Sequence, residues 1–402
     1  MRTRISLEEA VALLAGSVSP LGVEMVSRSD ALGRTLAQDV TAPLDQPPFD
    51  RSPLDGYALR SADLAGASKA HPVTLKVTEV VYAGGVPSQP VRPGEAIRIM
   101  TGAMLPEGCD CVLQHERTNN GFDTVEIYQA LRPHDNYCDR GEDYRAGTQL
   151  LAAGTVVDAA AVGVLASAGI GQVSVRRRPK VHVLSTGDEV VSPEVHPLPA
   201  GKIYGSNQEL LAARLRELGL TDVSAALIAD EPQTVAGEMA RILSGNCDLL
   251  ITTGGVSAGD KDIFHQVLPL MAADRIFWKV ELKPGTPVMF SLWHGKPILS
   301  LSGNPFAAAA TFELLARPLL GALTGEARFE MPRRIVKVSG GFPKASHVRR
   351  FLRGALRDGQ VLLTGKDSSG MLASLVGCDC LVDIPAGSGP LEDGDTVSVL
   401  LL

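Results

Sequence analysis

Acidic, hydroxyl and glycine residues cluster at four places where short apolar runs end. The runs STGDE at 185–189 and DE at 230–231 end in paired carboxylates, whereas TTGGVSAGDKD at 252–262 and SLSGNP at 300–305 are rich in glycine and hydroxyl groups. Glycine lets backbone N–H groups approach a phosphate closely, and a helix that follows adds its positive end. Mg²⁺ prefers carboxylates together with phosphate oxygens and water. The four segments therefore predict a site for a phosphorylated ligand and a divalent cation.

The residues expected to bind this ligand lie in these loops and in the extended run at 278–287. Lys279 and Lys283 flank that run, and strand alternation would place both on one face, where they could neutralise a phosphate or an oxyanion. The alternative is that both lysines lie on the surface and contact only solvent. The loop residues expected to contact the ligand are Thr253, Gly254, Gly255, Ser257, Ser302, Gly303, Asn304 and Pro305. The carboxylates that could together hold the cation are Asp188, Glu189, Asp230, Asp260 and Asp262, of which Glu189, Asp230 and Asp262 are the expected ligands. Asp260 and Asp262 also precede a helix, where the helix dipole favours a carboxylate without any metal.

Composition and motifs exclude several other functions. The formal net charge of -7 argues against a nucleic-acid surface. No stretch approaches the roughly 18 apolar residues of a membrane span, and the first residues lack a secretory signal, so we expect a cytoplasmic protein. The loops match neither a P-loop nor the dinucleotide fingerprint, and the spacing of the six cysteines does not match zinc knuckles.

The elements that must position these loops alternate between strands and helices. Predicted strands lie at 181–184, 223–228, 248–252 and 297–301, and predicted helices at 207–218, 233–243, 263–271 and 306–323. This order indicates a parallel sheet with right-handed crossovers, and ligands bind such sheets beyond the carboxyl ends of the strands. The polar loops follow those ends.

The flanking segments predict other folds. A capping box from Ser6 to Glu9 begins an N-terminal helix, and 158–169 predicts another helix that could pack with it. Short β-branched runs between 73 and 125 indicate a small β domain. Predicted strands at 335–338, 361–364, 380–384 and 396–401 indicate a C-terminal β-barrel or sandwich.

Seven motifs resemble those of one family. They are PPFDRSPLDGYA at 47–58, MTGAMLPEGCDCV at 100–112, GED at 141–143, STGDE at 185–189, TTGGVSAGDKD at 252–262, KPGTP at 283–287 and SGNP at 302–305. In order and spacing they resemble the molybdopterin molybdenumtransferase family, known as MoeA in bacteria and as the E domain of gephyrin in animals. The likeness extends over essentially the whole chain.

The resemblance implies a multidomain α/β plus β fold and a homodimer. Its parts would be an elongated helical and extended N-terminal domain assembled from two segments (1–45 and 144–176), a small β domain (46–143), a parallel-sheet α/β domain similar to MogA (177–326) and a C-terminal β-barrel (327–402). The site would combine the sheet domain of one subunit with the small β domain of the other.

The resemblance also implies a reaction and the residues that perform it. Molybdate and adenylylated molybdopterin would be the substrates, and molybdenum insertion would release AMP with the help of Mg²⁺. The catalytic residues would be Asp55, Thr101 and Asp143 from the partner's side, with Glu189 and Asp262 from the sheet domain. Asp230, Lys279, Lys283 and Pro305 would line the sheet domain, and Arg353 and Ser369 would contact the cofactor from the last domain. Molybdopterin adenylyltransferase and acceptor molybdoenzymes would be its protein partners.

The chain departs from the family pattern at three positions. Leu54 stands where many relatives have methionine, and Ser302 where many have proline. Gly205 stands where many have the aspartate of an Asp-x-Asn motif, which removes a carboxylate near the ligand. Two other functions compete with metal insertion: pterin adenylylation, because those enzymes share the sheet domain, and a scaffold that binds the cofactor without turnover. Retention of the motifs at 47–58, 100–112 and 141–143 favours metal insertion.

Overall fold

The chain folds into two compact units in a computed structural model that describes residues 2–257, 263–363, 365 and 368–402. One unit contains Met1–Glu24 and Arg176–Leu402, and the other contains Met25–Val175.

The helices and strands are numbered along the chain. The strands are β1 (Arg2–Ile5), β2 (Val23–Ser27), β3 (Val40–Thr41), β4 (Gly56–Leu59), β5 (Val73–Val81), β6 (Glu95–Ile99), β7 (Cys111–Gln114), β8 (Thr124–Ile127), β9 (Gln149–Leu151), β10 (Gln172–Arg176), β11 (Val181–Thr186), β12 (Val190–Val191), β13 (Ile203–Tyr204), β14 (Val223–Ile228), β15 (Leu249–Thr253), β16 (Asp274–Val280), β17 (Leu282–Lys283), β18 (Met289–Trp293), β19 (Lys296–Leu301), β20 (Arg333–Ser339), β21 (Arg349–Arg357), β22 (Gln360–Leu363), β23 (Cys380–Ile384) and β24 (Thr396–Leu401). The helices are α1 (Leu7–Gly16), α2 (Ala159–Ser167), α3 (Asn207–Glu217), α4 (Pro232–Ser244), α5 (Phe264–Leu270), α6 (Pro305–Thr311) and α7 (Arg317–Thr324). A π-helical turn, Phe312–Ala316, joins α6 to α7.

A seven-stranded sheet with the order β1-β16-β18-β19-β15-β11-β14 forms the centre of the first unit. Strands β14, β11, β15 and β19 run parallel, which confirms the predicted parallel sheet, whereas β18 is antiparallel to both of its neighbours. Along β15, Leu249 and Ile251 pack into one hydrophobic cluster and Leu250 into another. Both faces of the sheet are therefore buried, as the continuous apolar composition of its strands requires.

The first residues of the chain belong to the sheet unit, which differs from our expectation. We expected the N-terminal helix to pack with the segment near 144–176. Instead, β1 pairs in parallel with β16, and α1 buries Leu7, Ala10 and Leu14 in the core of the sheet unit. The Ser6 hydroxyl accepts a hydrogen bond from the Glu9 backbone N–H at 3.1 Å, so the predicted cap is correct. Pairing partners far along the chain are not encoded in a local helical pattern, and this placement was therefore missed.

A closed β-barrel follows the sheet within the same unit. Strands β21, β22, β20, β24 and β23 pair in this order, and β23 pairs with β21 to close the barrel. Val338, Val361, Val382 and Val399 fill its interior. We predicted four of these strands and missed β21, whose sequence RRFLRGALR does not alternate cleanly between apolar and polar residues.

The second unit holds a five-stranded sheet with the order β7-β4-β6-β5-β8, as predicted for the small β domain. In the same unit β3 pairs with β9, and Gln46 bridges to Tyr144, so residues 25–46 join the segment that begins at 144. The predicted helix at 158–169 is present as α2 and is capped by Asp158. The division of the two units into four domains with the stated boundaries stays a prediction.

One helical run of the described residues, Pro305–Thr324, is long and apolar enough to cross a membrane by length and composition alone. Of its most apolar window, 78% is buried inside the protein, which is typical of a core helix.

Candidate functional site

A cavity of about 800 Å³ opens at the carboxyl ends of β11, β15 and β19. Its volume lies in the upper part of the range usual for small-molecule sites. The predicted residues that line it are Glu189, Asp230, Thr253, Gly254, Gly255, Ser257, Lys283, Ser302, Gly303, Asn304, Pro305 and Ser369. The structure therefore brings together most of the sheet-unit residues that the sequence singled out.

Two consecutive glycines allow the loops after β11 and β15 to pack closely. Gly254 and Gly255 adopt φ angles of +97° and +60°. A Cβ atom on Gly254 would lie 2.4 Å from the backbone oxygen of Thr186, and one on Gly255 would lie 2.9 Å from Ile263. Below them, the hydroxyls of Ser185 and Thr253 are 2.7 Å apart. Only glycine fits where the loops after β11 and β15 approach each other this closely. The absence of side chains at these two positions also exposes the backbone to a ligand.

Two carboxylates line the cavity. Glu189 and Asp230 both line it, and the Asp230 backbone N–H donates to the Asp188 carboxylate at 3.2 Å. Burial raises the pKa of Asp230, and the negative charges of Asp188 and Glu189 raise it further. A divalent cation would relieve this concentration of negative charge, so these residues fit a cation better than they fit a second anion.

The third predicted cation ligand, Asp262, lies outside the described residues. Within the described part of the chain, no group of three or more His, Cys, Asp or Glu side chains is arranged to hold a metal ion. A two-carboxylate arrangement suits Mg²⁺, which completes its shell with water and phosphate oxygens. All six cysteines are free thiols, and four of them are buried.

Of the two basic residues that line the cavity in the described part of the chain, sequence reasoning identified only one. Lys283 in β17 is paired in register with Arg350 in β21, and both side chains line the cavity. The Arg350 guanidinium donates to the buried Ser346 hydroxyl at 3.0 Å and lies 5.0 Å from the Phe342 ring, so it is held in place. Sequence reasoning missed Arg350, because its strand was not predicted.

Lys279 is placed differently from the expectation. Its φ is +68°, and its ammonium lies 3.9 Å from the centre of the Trp278 ring. The positive φ falls near the end of β16, and the next strand, β17, pairs with the barrel instead of the sheet. The expectation that one regular strand presents Lys279 and Lys283 on one face is therefore wrong, and Lys279 is absent from the cavity lining of the described residues.

Arg353 contributes to the site through a loop. Its side chain is 3% exposed, stacks 4.0 Å from the Phe306 ring and donates to the backbone oxygens of Ser368 and Met371 at 2.8 and 3.3 Å. The loop that it holds carries Ser369, which lines the cavity. Direct contact of Arg353 with the cofactor stays a prediction, whereas its hold on the loop is present in the structure.

Two amide side chains at the start of α3 also line the cavity, and sequence reasoning did not assign them to the site. They are Asn207 and Gln208, which are 9% and 4% exposed. Asn207 donates to the backbone oxygen of Gly303 at 2.8 Å and thereby ties α3 to the SGNP loop. The Asp-x-Asn motif of the family could have directed attention to Asn207.

The second unit carries its own acidic group. The Asp55 carboxylate accepts hydrogen bonds from the backbone N–H and the hydroxyl of Thr101. Asp143 is exposed, and its backbone N–H donates to the Gln46 backbone oxygen at 2.9 Å. The structure thus joins the first two of these predicted catalytic residues directly.

Known sequence families match the chain in three consecutive blocks. The MoeA N-terminal region (domain I and II) matches residues 5–169, a family described as "Probable molybdopterin binding domain" matches 182–322, and the MoeA C-terminal region (domain IV) matches 336–402. The chain therefore belongs to the MoeA family of molybdenum cofactor biosynthesis.

Individual relatives carry a more specific name. The molybdopterin molybdenumtransferase of Bacillus subtilis (strain 168) is 35% identical over 410 residues, which cover 100% of this chain and 95% of the relative. The molybdopterin molybdenumtransferase of Nostoc sp. is 36% identical and covers 94% of this chain and 88% of the relative. A solved molybdopterin biosynthesis MoeA protein from Pyrococcus horikoshii has a TM-score of 0.88 and 31% identity, with 99% of both chains covered. The chain is thus a member of the molybdopterin molybdenumtransferase family, as the motifs predicted.

Proposed function

We propose that this protein inserts molybdenum from molybdate into adenylylated molybdopterin, with release of AMP that depends on Mg²⁺. The observation that carries the proposal is the 800 Å³ cavity, which places two carboxylates and two cations at the same carboxyl edge of a sheet. Among the relatives, the name molybdopterin molybdenumtransferase states the transfer itself. The adenylylated substrate and the release of AMP come from the family resemblance.

The charges of the cavity match an elongated anionic substrate. Lys283 and Arg350 would hold a phosphate or the molybdate dianion, since a guanidinium can donate two parallel hydrogen bonds to an oxyanion. The glycine and hydroxyl residues at 253–257 and 302–304 would donate to the remaining oxygens. Glu189 and Asp230, with Asp262 as a further proposed ligand, would hold Mg²⁺.

In the proposed reaction, holding the two substrates together provides much of the rate enhancement. Water attacks the phosphoanhydride bond and AMP leaves. The two dithiolene sulfurs lose their protons and replace two oxygens of molybdate, which take up these protons and two more from solvent and leave as water, so molybdenum keeps its oxidation state. Mg²⁺, when bound, would neutralise the phosphate oxygens and make AMP a better leaving group. Lys283 and Arg350 would orient the oxyanion, and the hydroxyl-rich loops would exclude bulk water from it.

We further propose that the active form is a homodimer. By resemblance, Asp55, Thr101 and Asp143 of one subunit would complete the cavity of the other. The support for this part is the match of the motifs at 47–58, 100–112 and 141–143. Contacts with molybdopterin adenylyltransferase and with acceptor molybdoenzymes are proposed on the same basis.

The test is AMP release from adenylylated molybdopterin, measured with and without molybdate and Mg²⁺. We expect release that needs both ions in the wild type and falls at least about tenfold in Glu189→Gln, since removal of a transition-state contact costs roughly that factor for each 1.4 kcal/mol. The matched control is Glu238→Gln, because Glu238 lies on α4 outside the cavity lining and pairs with Arg241 at 2.6 Å.

Three outcomes would contradict the proposal. Absence of AMP release from a folded wild type would refute metal insertion. Consumption of ATP and molybdopterin to form the adenylylated compound would indicate an adenylyltransferase. Tight binding of the adenylylated compound without turnover in the presence of both ions would indicate a scaffold.

A further inference from the structure

Gly205 and Gln208 share one space at the wall of the cavity. A Cβ atom on Gly205 would lie 2.6 Å from Nε2 of Gln208 and 3.1 Å from Cγ1 of Val190. The carboxamide of Gln208 therefore occupies the volume that any side chain at 205 would need. Both residues line the cavity, so this part of its wall carries a neutral amide.

The Gln208 carboxamide is buried but incompletely bonded. Its side-chain oxygen Oε1 is shielded from solvent and has no hydrogen-bond donor among the residues that the structure describes. The same holds for Oδ1 of the adjacent Asn207, whose amide nitrogen is already engaged with Gly303. Two consecutive residues of the cavity lining thus each carry a buried acceptor without a donor among the described residues.

Unbonded buried acceptors of this kind are uncommon, because each loses its hydration without gaining a protein partner. A ligand that carries an N–H group would provide the missing donor. Other groups of the cavity already suit the charged parts of the substrate: Lys283 and Arg350 suit anions, and Glu189 and Asp230 suit a cation. The two amide oxygens need a neutral N–H donor instead.

We propose that Gln208, together with Asn207, binds the N–H-bearing edge of a fused nitrogen heterocycle, and that Gly205 is required to give the Gln208 carboxamide its position. This inference rests on the proposed function, whose substrate carries two such heterocycles, adenine and a reduced pterin, each with an amino group. Gln208 is then a binding residue of the cavity wall.

The first experiment replaces Gln208 with leucine, which keeps the approximate volume and removes both the oxygen and the NH₂ group of the carboxamide. We expect KM for adenylylated molybdopterin to rise about tenfold with kcat within about twofold, because the contact holds the substrate and the transition state equally. The melting temperature should stay the same or rise, since an unsatisfied buried acceptor is removed. The matched control is Gln233→Leu, an exposed position on α4 that should leave KM unchanged.

Competitive inhibitors identify which heterocycle is bound. AMP and purine riboside monophosphate differ by the adenine amino group, and 6-hydroxymethylpterin represents the other end of the substrate. If adenine is bound, the wild type prefers AMP to purine riboside monophosphate and Gln208→Leu loses that preference. If the pterin is bound, Gln208→Leu is inhibited less strongly by 6-hydroxymethylpterin than the wild type is, and its response to the two nucleotides is unchanged. Either result supports the proposal and identifies which end of the substrate Gln208 contacts.

A double-mutant cycle tests the role of Gly205. Gly205→Ala adds the Cβ that would displace the carboxamide, so it should raise KM by nearly as much as Gln208→Ala. In the Gln208→Ala background the same change should have little effect, because its target is gone. Strictly additive effects would refute the shared space.

The two levels of proposal fail in different ways. A wild type that releases no AMP would refute the proposed function. A wild type that releases AMP, with Gln208→Leu retaining the wild-type KM and inhibition by all three probes, would refute this inference alone. A lowered melting temperature together with a loss of kcat at unchanged KM would show that Gln208 serves folding instead of binding.

Discussion

Asp55 accepts two hydrogen bonds from Thr101 on one carboxylate oxygen, from the backbone N–H at 2.7 Å and from the hydroxyl at 2.6 Å. The two residues lie at the ends of β4 and β6, which pair antiparallel. The hydroxyl contributes most to lowering the pKa of Asp55, and the backbone N–H comes next. The motifs at 47–58 and 100–112 therefore meet at one carboxylate whose pKa lies below its ordinary value.

Replacing Thr101 with valine should shift the pH dependence of AMP release. The change removes the hydroxyl bond but keeps the backbone bond, so the pKa of Asp55 moves up towards its ordinary value. If ionised Asp55 takes part in the reaction, the acidic limb of the kcat/KM profile moves to higher pH. Thr101→Ser should restore the wild-type profile. Coincident profiles for the valine variant and the wild type would exclude this role of the hydroxyl.

Replacing Asp230 with asparagine should stabilise the protein without Mg²⁺ and weaken its response to Mg²⁺. The pKa of Asp230 is raised in the folded state, chiefly by burial, so folding favours its protonated form and stability is lost as pH rises through that pKa. At neutral pH the asparagine variant should therefore melt higher than the wild type. Thermal melting at several Mg²⁺ concentrations tests this. A lower melting point at neutral pH together with an unchanged Mg²⁺ response would contradict it.

Replacing Gly254 with alanine should disrupt the loop between β15 and α5. The φ of +97° costs about 1–3 kcal/mol for an L residue, and the added Cβ would press on the Thr186 oxygen. We expect a lower melting temperature and at least a tenfold loss of AMP release. Gly237→Ala is the control: it lies exposed in α4 with open space around it, and it should stabilise the helix by about 1 kcal/mol. Equal melting temperatures for the two variants would contradict the argument.

Replacing Arg350 with alanine should weaken binding of the anionic substrates. We expect KM for molybdate or for adenylylated molybdopterin to rise about tenfold, since a charge-assisted hydrogen bond contributes about 1.5–3 kcal/mol. Arg350→Lys should retain part of the affinity through its charge. Arg334→Ala, an exposed arginine on β20 outside the cavity lining, is the matched control. Unchanged KM values for both substrates in Arg350→Ala would remove Arg350 from the site.

Mixing two inactive variants should restore activity if the site is shared between subunits. Asp55→Ala and Glu189→Gln would each inactivate a homodimer, whereas a mixed dimer would contain one cavity with both residues intact. Statistical mixing predicts that about a quarter of all cavities are intact, because half of the dimers are mixed and each has one intact site. AMP release after co-refolding measures this. Activity no higher than that of either variant alone, in dimers shown to exchange, would place both residues in the same subunit's site.

The sequence determined the fold class and most of the sheet-unit site. Each polar loop directly follows a continuous apolar strand, and the carboxyl ends of parallel strands must meet at one edge of the sheet. The sequence alone therefore places the loops at 185–189, 252–257 and 302–305 at one edge of the sheet. The positive φ angles of Gly254 and Gly255 are a local requirement that glycine meets, whereas the close approach of Gly254 to Thr186 arises only in the folded sheet.

Only the tertiary structure decided which cations reach the cavity and where the N-terminus packs. Arg350 joins Lys283 in the cavity lining through the register of β17 with β21, whereas Lys279, which has a positive φ near the end of β16, is absent from the lining that the described residues form. The placement of β1 depends on pairing with a strand more than 270 residues further along the chain. Such pairings are selected by the free energy of packing the whole sheet, to which a local window of sequence contributes only a part. For the same reason, only the tertiary structure shows that the Gln208 carboxamide occupies the space that a side chain at 205 would need.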